Sequence, residues 1–252
     1  MLTLDIDGPI ARITLDDPDR RNALSEAMFD SLMAALDDLT NRDDILVLRL
    51  DGAGRAFCAG FDLAAAVEHP AIMGVFIRRL SDLNRSLRHA SFVVIAAVQG
   101  AALAGGCAMV SACDLVVASR GTRFGYPVHR IGVTPAVTIA TLQQVVGSGP
   151  ARAMLMGGEI IDGGEAHRLG LVSHLVDDDT QTGPAADEIA ERIAGHGPRA
   201  LRETKWWLNE LDGSMDDERF VGPALASGLL VEGDEAVSML ADFWADRQRA
   251  NS

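Results

Sequence analysis

Two glycine-bearing segments carry the chemical potential of this sequence: Gly52-Ala-Gly-Arg-Ala-Phe-Cys-Ala-Gly-Phe-Asp-Leu63 and Ala97-Val-Gln-Gly-Ala-Ala-Leu-Ala-Gly-Gly-Cys107. Each follows a strand-like run and leads towards a helical one. Glycine at a strand-to-helix turn lets the backbone approach a ligand closely and leaves N–H groups pointing outward without partners. Two such turns from neighbouring parallel strands can aim two N–H donors at one carbonyl oxygen, which is the geometry of an oxyanion hole. Tight turns with only a packing role are the other reading of the same spacing.

Other chemistries find little support. Gly52-Ala-Gly54 does not complete a dinucleotide fingerprint, Gly147-Ser-Gly149 lacks the frame of a nucleophile elbow, and neither a P-loop nor an HExxH helix occurs. Cys58, Cys107 and Cys113 form an odd set without CxxC spacing or partnering histidines, so no disulfide framework and no metal site are expected. His89, His167, His174 and His196 belong to no visible constellation, whereas Glu68 and His69 follow the first glycine segment closely enough to border a pocket. Lys205 is the sole lysine, leaving Arg20, Arg21 and Arg55 as the early candidates for meeting a phosphate.

The elements that must position these residues follow from pattern. The 252 residues are 48% hydrophobic, enough for one large domain, and their formal net charge of −14 argues against a nucleic-acid surface. Leu2–Ile6 and Ile10–Leu15 alternate around Asp7-Gly8-Pro9 and predict a hairpin. Asn22 or Ser25 then caps a helix to about Leu39, followed by a strand at Ile45–Leu50, a loop at Asp51–Ala59 and a helix around Ala71–Arg88. Phe92 to Val110 approaches the length of a membrane span, but its β-branched start, the break at Gln99-Gly100 and Gly105-Gly106 predict a buried strand followed by a buried helix.

Downstream, the pattern predicts a strand at Asp114–Ala118, helices near Val137–Val146, Ala151–Met156 and Gly164–Leu169, and a short strand at Val172–Val176. Strands alternating with helices imply parallel pairing, hence an α/β class. After Pro184 only helices are expected, at Ala185–Ala194, Arg199–Leu211 and Asp234–Arg249, so a core over residues 1–180 and a helical region over 184–252 are expected. The opening residues lack the profile of a signal peptide, and free thiols fit a reducing, cytoplasmic setting.

Taken in order, Arg21-Asn-Ala-Leu24, Arg55 to Leu63, Gln99-Gly100 to Cys107, Cys113-Asp114, Phe124-Gly125-Tyr-Pro127, Gly157 to Val172, and Glu232-Gly233 with Phe243 and Arg247 resemble the motifs of the crotonase superfamily, the enoyl-CoA hydratase/isomerase family. The resemblance covers nearly the whole chain. It implies a spiral of ββα units, a C-terminal helical extension used in trimerisation, assembly as a homotrimer or dimer of trimers, and a coenzyme A thioester as substrate, with no separate cofactor. It also implies that the oxyanion donors are the backbone N–H groups of Phe61 and Gly105. Arg21, Ala23, Leu24, Asp62 and Leu63 would lie along adenine and pantetheine, and Ala59, Gly60, Gly106 and Val128 would complete the substrate contacts.

The sequence also departs from that family. Its hydratases use two glutamates whose positions are here Ala108 and Val128, and an aspartate found in some isomerases and dehalogenases is here Ala136. None of these can move a proton, a contribution usually worth about 10²–10⁴ in rate. On an extended backbone Tyr126 would share a face with Val128, making it a better-placed proton donor than His129 on the opposite face. Asp62 reads as a cap of the following turn as well as a pocket neighbour, and Trp206-Trp207 reads as core or subunit contact.

Overall fold

The structure, a computed structural model, describes residues 2–250, with the side chains of Arg247 and Ala250 outside that description. The predicted hairpin forms: β1 (Leu2–Asp7) pairs antiparallel with β2 (Ile10–Leu15), Leu2 opposite Leu15, across a turn in which Gly8 takes φ 57°. Strand β2 then begins a parallel run, followed by β3 (Val47–Gly52), β4 (Val93–Val98), β6 (Leu115–Ser119) and β9 (His174–Val176), giving a six-stranded sheet of order β1-β2-β3-β4-β6-β9. A small second sheet joins β5 (Ala101–Leu103), β7 (Arg123–Gly125) and β8 (Ile160–Asp162). The chain thus winds so that β4 and β5, β6 and β7, and β8 and β9 each place one strand in the large sheet and one in the small. That is the ββα winding the resemblance implies.

Both faces of the large sheet are covered, as continuous apolar strands require. Leu48, Leu50, Val94, Ala96, Val98, Val116 and Ala118 face a core shared with α1 (Glu26–Thr40), α3 (Ile72–His89) and α4 (Gly105–Ala112). The alternate residues Val47, Ile95, Ala97 and Val117 pack on Ala186, Ile189 and Ala190 of α8 (Thr182–Ala194). The period of two along each strand is therefore read out as two cores. An ion-pair cluster pins α8: Asp187 accepts from Arg12 Nε at 3.1 Å and from Arg49 Nη1 at 2.6 Å, while Arg49 also binds Asp51.

The remaining helices are α2 (Leu63–Glu68), α5 (Ile139–Val146), α6 (Ser148–Gly157), α7 (Gly163–Leu169), α9 (Pro198–Asp212), α10 (Glu218–Val231) and α11 (Asp234–Ala250). Lys205 on α9 is buried, and its ammonium donates to Leu87 O at 3.2 Å, Phe92 O at 2.9 Å and Asp114 Oδ2 at 2.7 Å. No described helix is long and apolar enough to cross a membrane, and the apolar run from Phe92 is divided among β4, β5 and α4.

The structure adds elements that the pattern does not predict. α10 is the largest, and it contains Gly222, Pro223 and Gly228, residues that weaken a helix or break its hydrogen-bond ladder. It forms because Phe220, Ala224, Ser227 and Val231, spaced four, three and four apart, bury one face against α3, where Ser81 Oγ donates to Phe220 O at 2.9 Å. Trp206 and Trp207 are 44% and 52% exposed, so the core reading of that pair is overturned.

Candidate active site

The first glycine segment is held by residues remote in sequence. Asn22, fully buried, donates from Nδ2 to Ala53 O at 3.0 Å, Ala56 O at 2.9 Å and Phe57 O at 3.1 Å, and its Oδ1 accepts from Asp17 N at 2.8 Å. Ser25 rather than Asn22 caps α1, accepting from Met28 N at 3.3 Å. The segment then lies as a ribbon between two others. Cys58 bridges to Ala102 on one side and Phe61 to Leu24 on the other, both parallel.

The second bridge fixes where the Phe61 N–H points. Leu24 N donates to Gly60 O at 2.8 Å and Asp62 N donates to Leu24 O at 3.2 Å, so Gly60 C=O faces Leu24. In a trans peptide the N–H opposes the C=O of the same unit, so Phe61 N–H faces away from Leu24. Gly105 opens α4, and the first N–H groups of a helix have no partner within it. Among the described residues, neither N–H donates to another protein group.

The two segments touch. Gly60 adopts φ 94°, and a Cβ placed on it would stand 3.0 Å from Ala104 Cβ and 3.5 Å from Gly105 N. A Cβ on Gly106 would collide with the carbonyl oxygen of Cys58, so both glycines permit a backbone approach that no side chain allows. Ala104 itself sits at φ 50°, ψ −116°, a conformation costly for a residue with a Cβ. Gly105, the next residue, opens α4.

Phe61, Ala104 and Gly105 line a cavity of about 400 Å³. Arg21, Ala59, Leu63, Ala108 and Val128 share its lining, as do Tyr126, Thr134 and Thr138 and the apolar side chains of Ile77, Leu80, Val137 and Phe243. Among the described residues, no carboxylate, imidazole or amine lines it, and Arg21 and Tyr126 are the ionisable ones there. Of the other predicted contacts, Leu24 is buried, with its Cδ1 3.1 Å from the position of a Gly105 Cβ, and Ala23 is half-buried outside the lining. Asp62 caps α2 through Ala64 N at 3.2 Å and Ala65 N at 3.4 Å and pairs with Arg20 at 3.3 Å. Arg55, Glu68 and His69 are exposed and lie outside the lining.

The extended backbone assumed for Tyr126 and His129 is not observed. After β7 the chain turns into a 3-10 helix over Pro127–Ile131, because proline presets a helical φ, and this carries His129 to the exterior, outside the cavity lining. Tyr126 remains at the cavity, 1% exposed, with its Oη 3.1 Å from Thr138 Oγ1. Burial, reinforced by the Cys107 thiol beside it, raises its pKa well above the ordinary tyrosine value, so the phenol stays protonated and is a donor rather than a base. Burial likewise pushes Cys107 up to about 11. Behind Tyr126, Ser111 Oγ lies 3.3 Å from Thr138 Oγ1 and 2.7 Å from Thr141 Oγ1 and donates to Ala108 O at 2.7 Å. The sequence gives no local sign of this hydroxyl cluster, whose members stand 27 and 30 residues apart.

Comparison with known proteins matches residues 5–215 to the family model described as enoyl-CoA hydratase/isomerase. The chain is 32% identical to the short-chain-enoyl-CoA hydratase of Clostridium acetobutylicum over 82% of its length and 80% of that protein's. It is 34% identical to the 2,3-dehydroadipyl-CoA hydratase of Escherichia coli, over 79% of this chain and 77% of that one. Among solved structures, an enoyl-CoA hydratase/isomerase from Xanthobacter autotrophicus Py2 superimposes with a TM-score of 0.88 at 28% identity, covering 99% of this chain and 94% of the other.

Proposed function

The chain belongs to the enoyl-CoA hydratase/isomerase family, and we propose that it processes an acyl-CoA whose thioester oxygen sits between the backbone N–H groups of Phe61 and Gly105. The observation that carries this reading is the pair of N–H groups without protein partners, on touching segments, at the wall of one apolar cavity. As charge builds on the thioester oxygen in an enolate-like transition state, fixed donors stabilise it more than they stabilise the ground state. The scarcity of ionisable groups in the lining strengthens each donor, because little in the wall competes with or screens the charge. Arg21, Ala59 and Leu63 form the stretch of lining along which the pantetheine arm would enter.

Enolate stabilisation is common to hydration, double-bond shift, thioester hydrolysis and decarboxylation, and the lining favours reactions that do not need a carboxylate to activate water. A second reading has its own support: with Ala108 and Val128 in the wall, the protein could retain thioester binding and have lost turnover. Titration with acyl-CoAs beside an assay of trans-2-enoyl-CoA hydration separates the two. Turnover supports the enzyme, binding without turnover on any thioester reaction supports the binder, and no affinity for acyl-CoAs defeats both.

Assembly as a homotrimer or dimer of trimers is part of the proposal, supported by apolar side chains left exposed on two helices: Trp207 and Leu211 on α9, 52% and 81% exposed, and Leu225 and Leu229 on α10, 57% and 73%. Light scattering of the purified protein tests it, a monomer being the contrary result. A cytoplasmic setting without nucleic-acid partners is supported by the three free cysteines and the net charge of −14.

A further inference from the structure

The residues around the cavity fall into two sets by exposure. Arg21, Ala59, Leu63 and Phe243 are half-buried and form its mouth. Ile77 and Leu80 of α3, Ala108 of α4, and Val133 and Val137 after the 3-10 helix at Pro127–Ile131 are between 1% and 6% exposed and form its floor. The floor begins beside the thioester seat, because a Cβ placed on Gly105 would stand 3.5 Å from Leu80 Cδ2. With the thioester oxygen at Phe61 and Gly105, the phosphate-bearing end of coenzyme A must leave by the mouth, where Arg21 stands, and the acyl chain is left the floor.

The floor offers that chain hydrocarbon and no charge. Its two hydroxyls are already paired: Tyr126 Oη lies 3.1 Å from Thr138 Oγ1, which is 3.3 Å from Ser111 Oγ. Among the described residues, Arg21 is the one cation of the lining, and it stands at the mouth. A carboxylate at the far end of an acyl chain therefore has two placements, both unfavourable. Seated in the floor it is a buried charge without a counter-ion. Drawn back to the mouth it takes its methylenes out of the floor, and each buried methylene is worth about fourfold in affinity.

We infer that the acyl chain of the substrate is an uncharged hydrocarbon tail, and that Ile77, Leu80, Ala108, Val133 and Val137 select it against chains that end in a carboxylate. This inference rests on the thioester seating proposed above and names the class of chain that the site takes.

The test is isothermal titration of wild type with acetyl-CoA, hexanoyl-CoA and adipyl-CoA, the last two being of equal acyl length and ending in a methyl and a carboxylate respectively. Hexanoyl-CoA should bind on the order of 10²-fold more tightly than acetyl-CoA, because its additional carbons enter the floor. Adipyl-CoA should bind no more tightly than acetyl-CoA. In Ala108→Leu, whose longer side chain grows from α4 into the floor, the hexanoyl-to-acetyl ratio should fall towards one. Adipyl-CoA binding as tightly as hexanoyl-CoA, or hexanoyl-CoA binding no more tightly than acetyl-CoA, overturns the inference while leaving the thioester reading intact. A ratio kept at its wild-type value in Ala108→Leu puts the chain outside the floor and overturns it too, and the wild-type titrations decide alone if that variant does not fold. Failure of wild type to bind any of the three strikes instead at the thioester reading.

Discussion

Replacing Gly105 by proline isolates a single backbone donor. Proline is tolerated at the first position of a helix, where the missing N–H makes no helical bond, and Gly105 is the first residue of α4. Its predecessor Ala104, at φ 50° and ψ −116°, lies outside the α region that a following proline disfavours. The added Cβ would meet Leu24 Cδ1 at 3.1 Å, Phe61 Cε1 at 3.3 Å and Leu80 Cδ2 at 3.5 Å, all outer atoms of side chains that can shift by tenths of an ångström. Gly105→Ala adds the same Cβ and keeps the N–H, so the difference between the two variants belongs to the donor. Losing one oxyanion donor costs about 2.7–4 kcal/mol, or roughly 10²–10³ in turnover. The direct assay is the spectral shift of a conjugated acyl-CoA on binding, read beside turnover of the best thioester found. The proline variant should lose most of the shift and the alanine variant little of it. A folded proline variant that retains the shift would refute the placement of the thioester oxygen, and equal losses in both variants would reduce the effect to crowding.

Further expectations concern the parts that hold the site. Asn22→Ala strips three carbonyls of their donor and should lower stability by about 3 kcal/mol, measured by urea unfolding, and should weaken turnover because the ribbon ending at Phe61 loses its anchor. Gly106→Ala drives a Cβ into the Cys58 carbonyl and should destabilise by at least about 2 kcal/mol, with a matching fall in melting temperature; near-neutral stability would show that α4 can slide away from the ribbon. Burial pushes the Asp187 carboxyl up, but the hydrogen bonds and charges of Arg49 and Arg12 together outweigh it and hold the group below the usual carboxylate range. Its folded value being the lower one, its stabilisation is complete above about pH 4 and disappears as the pH falls through the folded value. The gap in urea midpoint between wild type and Asp187→Asn should accordingly narrow on acidification, and a gap constant down to pH 3 would contradict the assignment.

Much of the architecture is legible in the sequence because its strongest signals are periodic. The hairpin, the buried strand from Phe92, the helix at Ile72–His89 and the parallel alternation all follow from apolar spacing and turn residues. The three-residue strands of the small sheet are too short to show a period, and their pairing partners lie far away in sequence. α10 is hidden for a different reason: Pro223 and its glycines contradict helix locally, and only packing against α3 outweighs them. At the candidate site, the glycine turns announce where free N–H groups can arise, since they are backbone features tied to residue type. The hydroxyl cluster around Thr138 gives no such sign, because a serine or threonine acquires its meaning from neighbours that only the fold supplies. A face shared by Tyr126 and Val128 requires an extended chain, and Pro127 converts that stretch to a helical turn.

The burial of Lys205 has a practical corollary. With its single lysine buried on α9 and its ammonium tied to three oxygens, the folded protein holds that amine out of reach of acylating reagents, so modification at Lys205 requires those three hydrogen bonds to open. Acylation of Lys205 is therefore a built-in clock for opening of the native state: when resealing outpaces labelling, its rate follows the population of open molecules rather than the reagent's access to a surface. Substrate analogues that seat in the cavity should slow that clock by mass action even though they never approach the amine, turning one side chain into a label for ligand binding at a distance.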